Sequence, residues 1–99
     1  MAKIKPILPG EILGEEFLVP MGVSPYKLAK DIKISATRIS EMLKGKRRIT
    51  VDTALRLSKY FGNSVEFWVG IQADYEIRKA KKNLKNQLAQ IKQLEAMIA

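Results

Sequence analysis

The sequence predicts an all-α protein in which five helices form one domain and a long helix closes the chain. Three observations predict this class. Apolar residues recur at spacings of three and four, capping residues stand immediately before several of these segments, and neither glycine nor proline occurs from Gln72 onward. We therefore expect a folded domain over residues 1–75 and a basic amphipathic C-terminal helix over residues 76–99.

Composition restricts the function classes open to the chain. The 99 residues are 46% apolar and include no cysteine and no histidine. Disulfides, zinc sites and Ser-His-Asp catalysis are thus excluded, and no glycine-rich phosphate loop is present, so we expect neither an enzyme nor a cofactor. No apolar run reaches the roughly 18 residues that a membrane span needs, and the N-terminus lacks a signal-peptide core, so we expect a cytoplasmic protein.

The first helix is expected after an irregular arm over residues 1–8. Pro9 suits position N1 of a helix, and Glu11 and Glu15 are well placed for its positive N-terminal end. An apolar stripe predicts the buried side, and Pro20 and Gly22 are expected to end the helix. The stripe consists of Ile12, Leu13, Phe17 and Leu18.

The second and third helices form the central pattern of the chain, over residues 24–50. Ser24 and Pro25 suit the start of one helix, and Ser35 suits the start of the next. Gly45 suits a left-handed stop. Two short capped helices joined by three or four residues are typical of a helix-turn-helix. The apolar residues expected on these helices are Tyr26, Leu28, Ala29, Ile32, Ile39, Met42 and Leu43.

Charge favours DNA as the partner of this pattern. Of the net charge of +8, residues 27–48 supply eight cations against two anions, and residues 76–99 supply six against two. The alternative is an ordinary αα-hairpin with solvated charges, but a structural loop does not need four cations within five positions. A membrane surface is disfavoured because the central block has no long continuous apolar face.

Two further helices are expected after the basic loop. Thr50 and Ser64 suit their first capping positions, and Gly62 with Asn63 separates them. Their aromatic residues are interpreted as core or as a dimer seam, because a base-stacking platform would need interleaved cations. The residues expected on the buried sides are Ala54, Leu55, Leu57, Ser58, Phe61, Phe67, Trp68 and Ile71.

The C-terminal helix carries a narrow apolar seam with lysines outside it. Such a seam is too long to stay exposed on a monomer, so it should pack on its own domain, on a second copy or on another protein. The sequence does not choose among these three. The seam residues are Ala73, Ile77, Ala80, Leu84, Leu88, Ile91, Leu94 and Ile98.

Five fragments in this order resemble a known family. They read PGEILGEEFL, SPYKLAK, RISEMLKGKRRIT, DTALRLSKYFG and SVEFWVGIQADYE, and together they span roughly residues 7–78. Residues 24–61 are similar to the lambda-repressor-like (XRE) helix-turn-helix domain, and the whole set resembles HigA/VapI-type antitoxins. The resemblance implies a bacterial homodimer that binds a palindromic operator, represses its own operon and neutralises a cognate ribonuclease toxin of the HigB/RelE type.

The same resemblance makes residues 35–43 the recognition helix, whose first residues would meet base edges in the major groove. Arg38 is expected to contact guanine, and Ser40 and Glu41 are weaker candidates, since Glu41 can instead pair with Lys44 or Lys46. Phosphate contacts are expected from Tyr26, Lys27 and the basic loop. The full predicted DNA-binding set is Tyr26, Lys27, Ser35, Ala36, Thr37, Arg38, Ser40, Glu41, Lys44, Lys46, Arg47, Arg48 and Thr50.

The chain departs from the family pattern at two places. Lys33 occupies a turn where the family often has glycine, and the tail after Arg78 is longer and richer in lysine than the shared core. Two other functions stay open at this point. One is a stand-alone XRE-type repressor without a toxin, and the other is a protein-interaction module that does not bind DNA.

Overall fold

The computed structural model describes residues 7–95, and that part of the chain is α-helical without strands. Most of the arm expected over residues 1–8 and the seam residue Ile98 lie outside the described residues. The all-α class and the order of five helices are confirmed. The elements are α1 (Pro9–Ile12), a π-helical segment (Leu13–Leu18), α2 (Val19–Met21), α3 (Pro25–Ile32), α4 (Ala36–Leu43), α5 (Val51–Phe61), α6 (Val65–Asn83) and α7 (Lys85–Ala89).

The first predicted helix is one helical stretch that changes register in its middle. Pro9 starts it, and the Leu8 N–H donates to the Glu11 carboxylate at 3.1 Å. In the π-helical segment the Val19 N–H donates to the Gly14 carbonyl, five residues earlier. A proline ring collides with the carbonyl four residues before it in a regular α-helix, so a wider turn ahead of Pro20 relieves that contact.

The expectation that Pro20 helps to end this helix is wrong, since Pro20 lies inside α2. The helix ends at Met21, and Gly22 follows it in the left-handed region at φ 66°. Glycine alone adopts that region without a Cβ penalty, so the second half of the prediction is confirmed.

All four predicted capping residues accept a hydrogen bond from the backbone N–H three positions later. Each bond satisfies one donor of a first helical turn, and a cap of this kind is worth about 1 kcal/mol. The accepting oxygens belong to Ser24 (3.0 Å), Ser35 (3.2 Å), Thr50 (3.3 Å) and Ser64 (3.1 Å).

The core forms where α1, the π-helical segment and α3 to α6 meet. Trp68 is fully buried, its ring centroid lies 4.8 Å from that of Phe17, and its Nε1 donates to Asn63 at 2.9 Å. Trp68 is therefore core, as one of the two interpretations predicted, and Tyr60 and Phe61 are partly buried against the core. The buried apolar residues are Leu13, Leu18, Leu28, Ala29, Ile32, Ile34, Ile39, Met42, Ile49, Ala54, Leu57 and Trp68.

Two residues expected on buried faces are exposed. Leu55 is 53% exposed because the inner side of α5 consists of Thr53, Ala54 and Leu57. Phe67 is 38% exposed, at the edge of the aromatic cluster. The helical spacing identified the correct helices but placed the buried stripes too broadly.

The C-terminal helix is shorter than predicted. Helix α6 runs without a break across the expected domain boundary at 75/76 and ends at Asn83, and only the short α7 follows. Residues 91–95 are not helical, so the expectation of one long helix to the chain end is wrong there. No described residue beyond Gln72 is buried, and a helical segment without a packed face is only marginally stable in water, which explains why α6 ends at Asn83. Within residues 7–95 no helix combines the length and apolarity that crossing a membrane requires.

Candidate nucleic-acid interface

Helix α4 is anchored to the domain from behind and presents its other side to solvent. Ile39 and Met42 are 0% and 1% exposed, so they fix the rotation of the helix. Gly10 of α1 lies directly against the backbone of α4, where an added Cβ would overlap the Met42 carbonyl oxygen and lie 2.9 Å from the Leu43 Cα. This close approach sets how far α4 stands from the core.

Arg56, which the sequence analysis did not single out, holds the turn before α4. Lys33 adopts φ 62°, and it is the one non-glycine residue with positive φ within residues 7–95. Arg56 on α5 donates to the Ile32 carbonyl at 2.8 Å and to the Lys33 carbonyl at 3.3 Å. These bonds satisfy carbonyls at the end of α3 and offset part of the cost of the left-handed lysine.

The outer side of α4 brings together six of the predicted DNA-binding residues. They surround a shallow concavity of about 430 Å³ with mixed polar and apolar walls. Small side chains lie at one end of the concavity, and two lysines border the other end. The residues are Ala36, Thr37, Ser40, Glu41, Lys44 and Lys46.

Arg38 does not line this concavity. Its side chain is half-buried, and its Nε is enclosed with no hydrogen-bond partner among residues 7–95. Its backbone N–H donates to the Ser35 hydroxyl at the start of α4. The guanine contact predicted for Arg38 stays a prediction, and it requires the side chain to extend from this position.

The basic loop after Gly45 is partly neutralised by the protein itself. Arg47 pairs with Glu41 at 2.8 Å. The sequence had suggested Lys44 or Lys46 as the partner of Glu41, and neither pairs with it within residues 7–95. Arg47 reaches Glu41 because the loop folds back over the last turn of α4, and Gly45 at φ 78° makes that reversal. Lys44 and Lys46 form no ion pair within the described part of the chain.

Arg48 is held by a carboxylate far away in sequence. Its Nε and Nη2 donate to the two oxygens of Glu76 at 2.7 and 3.2 Å. The Arg48 guanidinium, followed by the Gln72 amide, holds the pKa of Glu76 below its usual range, and Glu76 raises the pKa of Arg48. Sequence analysis missed Glu76 and Gln72 because an i, i+4 polar pair on a helix carries no sign of a distant partner.

The N-terminal end of α3 also lies on the exposed surface. Tyr26 is 73% exposed, and Lys27 pairs with Asp31 at 3.0 Å. The Tyr60 hydroxyl donates to Asp31 at 2.6 Å, and this bond, followed by that from Lys27, lowers the pKa of Asp31. Lys27 thus starts from an ion pair, and its predicted phosphate contact would have to compete with Asp31.

Thr50 is half-buried and its hydroxyl is already used. It accepts the capping bond of α5 and donates to the Thr53 hydroxyl at 3.2 Å. A phosphate contact through this hydroxyl would replace one of these bonds. Residues 7–95 contain no group of three or more acidic or histidine side chains placed to hold a metal ion.

Comparison with known proteins gives the relatives of this architecture. A helix-turn-helix family model matches residues 15–68. Virulence-associated protein I of Dichelobacter nodosus is 47% identical over 77 residues, which cover 78% of this chain and 71% of that protein.

Two solved structures are similar over nearly their whole length. An addiction module antidote protein of the HigA family from Coxiella burnetii is 40% identical with a TM-score of 0.86, covering 92% of this chain and 100% of that chain. The antitoxin HigA of Pseudomonas aeruginosa, solved with the higBA promoter, is 37% identical with a TM-score of 0.87, covering 91% and 99%.

Proposed function

The chain belongs to the HigA-type antitoxins of the helix-turn-helix family, and on that premise we propose that it is the antitoxin of a type II toxin–antitoxin module. It binds operator DNA as a homodimer, represses its own operon and neutralises a cognate ribonuclease toxin. The observation that carries this proposal is the likeness, over 91% of this chain, to a HigA antitoxin solved with its promoter.

The geometry of α4 supports DNA as the ligand. The helix is fixed by buried Ile39 and Met42, and its opposite side is open. A rod about 10–12 Å across fits the roughly 12 Å major groove, and cations behind it suit phosphates. We propose that the residues around the concavity meet base edges, and that Tyr26, Lys27 and the basic loop meet phosphates.

A dimer is required for this arrangement to read a palindrome. Two copies of α4 must stand about 34 Å apart to enter successive major grooves on one side of the duplex. The protein acts by binding rather than by catalysis, and we place it in the bacterial cytoplasm, on the nucleoid when DNA is bound. A dimer whose recognition helices diverge from the groove spacing would contradict the operator proposal.

The first test measures binding of the purified protein to its own upstream DNA and to a scrambled duplex of equal length. Fluorescence anisotropy across a salt series gives the affinities. We expect tight, sequence-dependent binding and a palindromic footprint. Equal weak binding to both duplexes that vanishes by physiological salt would leave only a generic basic surface.

Two variants separate the proposed roles within the interface. Arg47→Ala should weaken binding to both duplexes alike and reduce the salt slope by about one unit, whereas Arg38→Ala should relax preference at one base position. Arg78→Ala is the matched control, because it removes the same charge from an exposed i, i+4 pair with Asp74 on α6. Equal effects of all three variants would contradict the role assignments.

The antitoxin half of the proposal needs its own test. The gene next to the one encoding this chain should arrest growth when expressed alone, and co-expression of this chain should restore growth. The two products should also purify together. Operator binding without any such neighbour would instead establish a stand-alone repressor.

A further inference from the structure

A chain of hydrogen bonds ties the basic loop to α6. The Ile49 N–H donates to the Gln72 Oε1 at 2.9 Å, and the Gln72 Nε2 donates to Glu76 at 3.0 Å. Glu76 in turn accepts two bonds from Arg48. Gln72 is only 5% exposed, so it fixes the loop backbone from inside the protein.

The outer end of this chain is open to solvent. The Arg48 and Glu76 side chains are 55% and 43% exposed, and they border a cleft of about 210 Å³ between the loop and α6. Lys46 and Arg47 line the same cleft. A DNA phosphate that approaches the loop would therefore meet a guanidinium that already holds two carboxylate oxygens.

Carboxylate and phosphate bind a guanidinium in the same two-pronged geometry. Glu76 occupies the Nε–Nη2 edge of Arg48, so a phosphate can take this edge only by displacing the carboxylate. We propose that Glu76 competes with DNA phosphate for Arg48, and so sets how many phosphates the basic loop neutralises. This inference rests on the proposed DNA-binding function.

Phosphate can replace Glu76 on Arg48 because the Arg48–Glu76 ion pair is exposed to solvent. An exposed ion pair usually shifts an equilibrium by no more than about fivefold. A phosphate can thus displace Glu76, while Gln72 keeps the loop backbone in place through Ile49. Glu76 stays ionised at neutral pH, since its pKa lies below the usual range, and the competitor is present under ordinary conditions.

The test is Glu76→Gln in the full chain, measured by anisotropy on the upstream duplex and on the scrambled duplex across a salt series. The substitution removes the charge and keeps a side-chain oxygen for the Gln72 amide. We expect about two- to fivefold tighter binding to both duplexes at low salt. The slope of log K against log salt should also steepen by about 0.9, the value for one more phosphate contact.

Asp74→Asn is the matched control, because it makes the same change of charge on the same helix in a pair that does not contact the loop. Its salt slope should equal that of the wild type. In an Arg48→Ala background, Glu76→Gln should have no effect, since the competitor then has nothing to release. Thermal melts of all variants verify that the fold is kept.

Four results would overturn the proposal. Weaker or unchanged binding of Glu76→Gln would show that Glu76 orients Arg48 or is irrelevant to DNA. The same gain in Asp74→Asn, or a gain that persists without Arg48, would reduce the effect to general electrostatics. The proposed operator function would fail separately, if the wild type did not prefer its own upstream DNA. The two failures are distinguishable because the Glu76→Gln effect is also measured on the scrambled duplex. No binding to either duplex by any variant would overturn both.

Discussion

Helix α4 and the C-terminal helix α6 share one sequence pattern and have opposite surroundings. Each has apolar residues at spacings of three and four, with polar or charged residues between them. In α4, Ile39 is 0% exposed, whereas in α6 Ile77 is 55% exposed. The pattern predicts a helix and the side that favours contact with other apolar groups, but it does not tell which surface supplies that contact.

The difference in exposure arises from what packs against each helix. Helix α4 follows α3 after a tight turn, and α1 lies against its backbone at Gly10, so its stripe is covered on assembly of the domain. The first half of α6 is anchored by Trp68 and Gln72, and beyond Gln72 no described residue is buried. Any surface that covers the second half must come from outside residues 7–95 of the same copy.

The largest predicted effect contrasts two isoleucines of these helices. Ile39→Ala should destabilise the protein by about 2–5 kcal/mol, because it leaves a cavity in the core. Ile77→Ala should change the free energy of unfolding by less than about 0.5 kcal/mol, as exposed substitutions usually do. Urea unfolding of both variants at two protein concentrations measures this contrast.

Protein concentration identifies the source of any cost at Ile77. A loss comparable to that of Ile39→Ala, which grows as the protein is concentrated, would show that a second copy covers the seam. The comparison between the two helices would then apply to the monomer only. A large loss that does not depend on concentration would contradict the exposed placement of Ile77.

Much of the fold follows from local sequence signals. The caps at Ser24, Ser35, Thr50 and Ser64 and the glycine stops depend on residues within one turn of each other, so short-range chemistry suffices to predict them. The concave side of α4 was predictable for the same reason. Its polar residues are those left once the apolar stripe is assigned.

The features that sequence analysis missed depend on contacts between distant residues. Arg56 reaches back 23 and 24 residues to the turn, and Arg48 reaches forward 28 residues to Glu76. Such pairs leave no periodic trace in the chain. The π-helical segment was missed because it is a change of register inside a helix whose apolar spacing looks ordinary. The end of α6 was missed because the seam pattern continues where the helix does not.

A second prediction contrasts Gly10, which lies against α4, with Gly70, which lies in α6. Gly10→Ala should cost about 1–3 kcal/mol or more, since its Cβ would overlap the backbone of α4. Gly70→Ala in α6 meets nothing within 4 Å and should stabilise by up to about 1 kcal/mol through helix propensity. Thermal melts of the two variants test this, and Gly14→Ala, whose nearest neighbour is the Leu43 Cδ2 at 3.6 Å, is a control within the first helical stretch.

Loss of stability in Gly70→Ala would mean that something covers α6 at that point. Tolerance of Gly10→Ala would mean that α4 is held less closely than its contacts indicate. Either result would reduce the difference between the two helices.

A third prediction concerns the strained turn that orients α4. Lys33→Gly should stabilise the protein by about 1 kcal/mol, because glycine adopts φ 62° without a Cβ penalty. Lys33→Ala keeps the strain while removing the same charge, and is the matched control. Chemical unfolding of both variants isolates the backbone contribution. Equal stability of Lys33→Gly and Lys33→Ala would show that the left-handed conformation has no net cost at this position.

The smallest predicted effect is a pH dependence at the contact between α3 and α5. Tyr60 joins α5 to α3 through Asp31, whose pKa is lowered by the Tyr60 hydroxyl first and by Lys27 second. A lowered folded-state pKa means that this stabilisation is present above the ordinary aspartate value of about 3.9 and is lost as the pH falls through the lower folded value. Tyr60→Phe should therefore melt a few degrees below the wild type at neutral pH.

That difference should shrink in acid, because the wild type then loses the interaction that the variant already lacks. Asp74→Asn, which removes an exposed pair on α6, should change the melting temperature little at neutral pH. Melting curves from pH 7 down to pH 2 compare the three proteins. A Tyr60→Phe deficit that stays constant through acid would show that the lost stabilisation does not depend on ionisation of Asp31, because the phenylalanine ring keeps the packing with Phe61, at 5.1 Å between centroids. The Tyr60 hydroxyl would then stabilise the contact between α3 and α5 equally with ionised and with protonated Asp31.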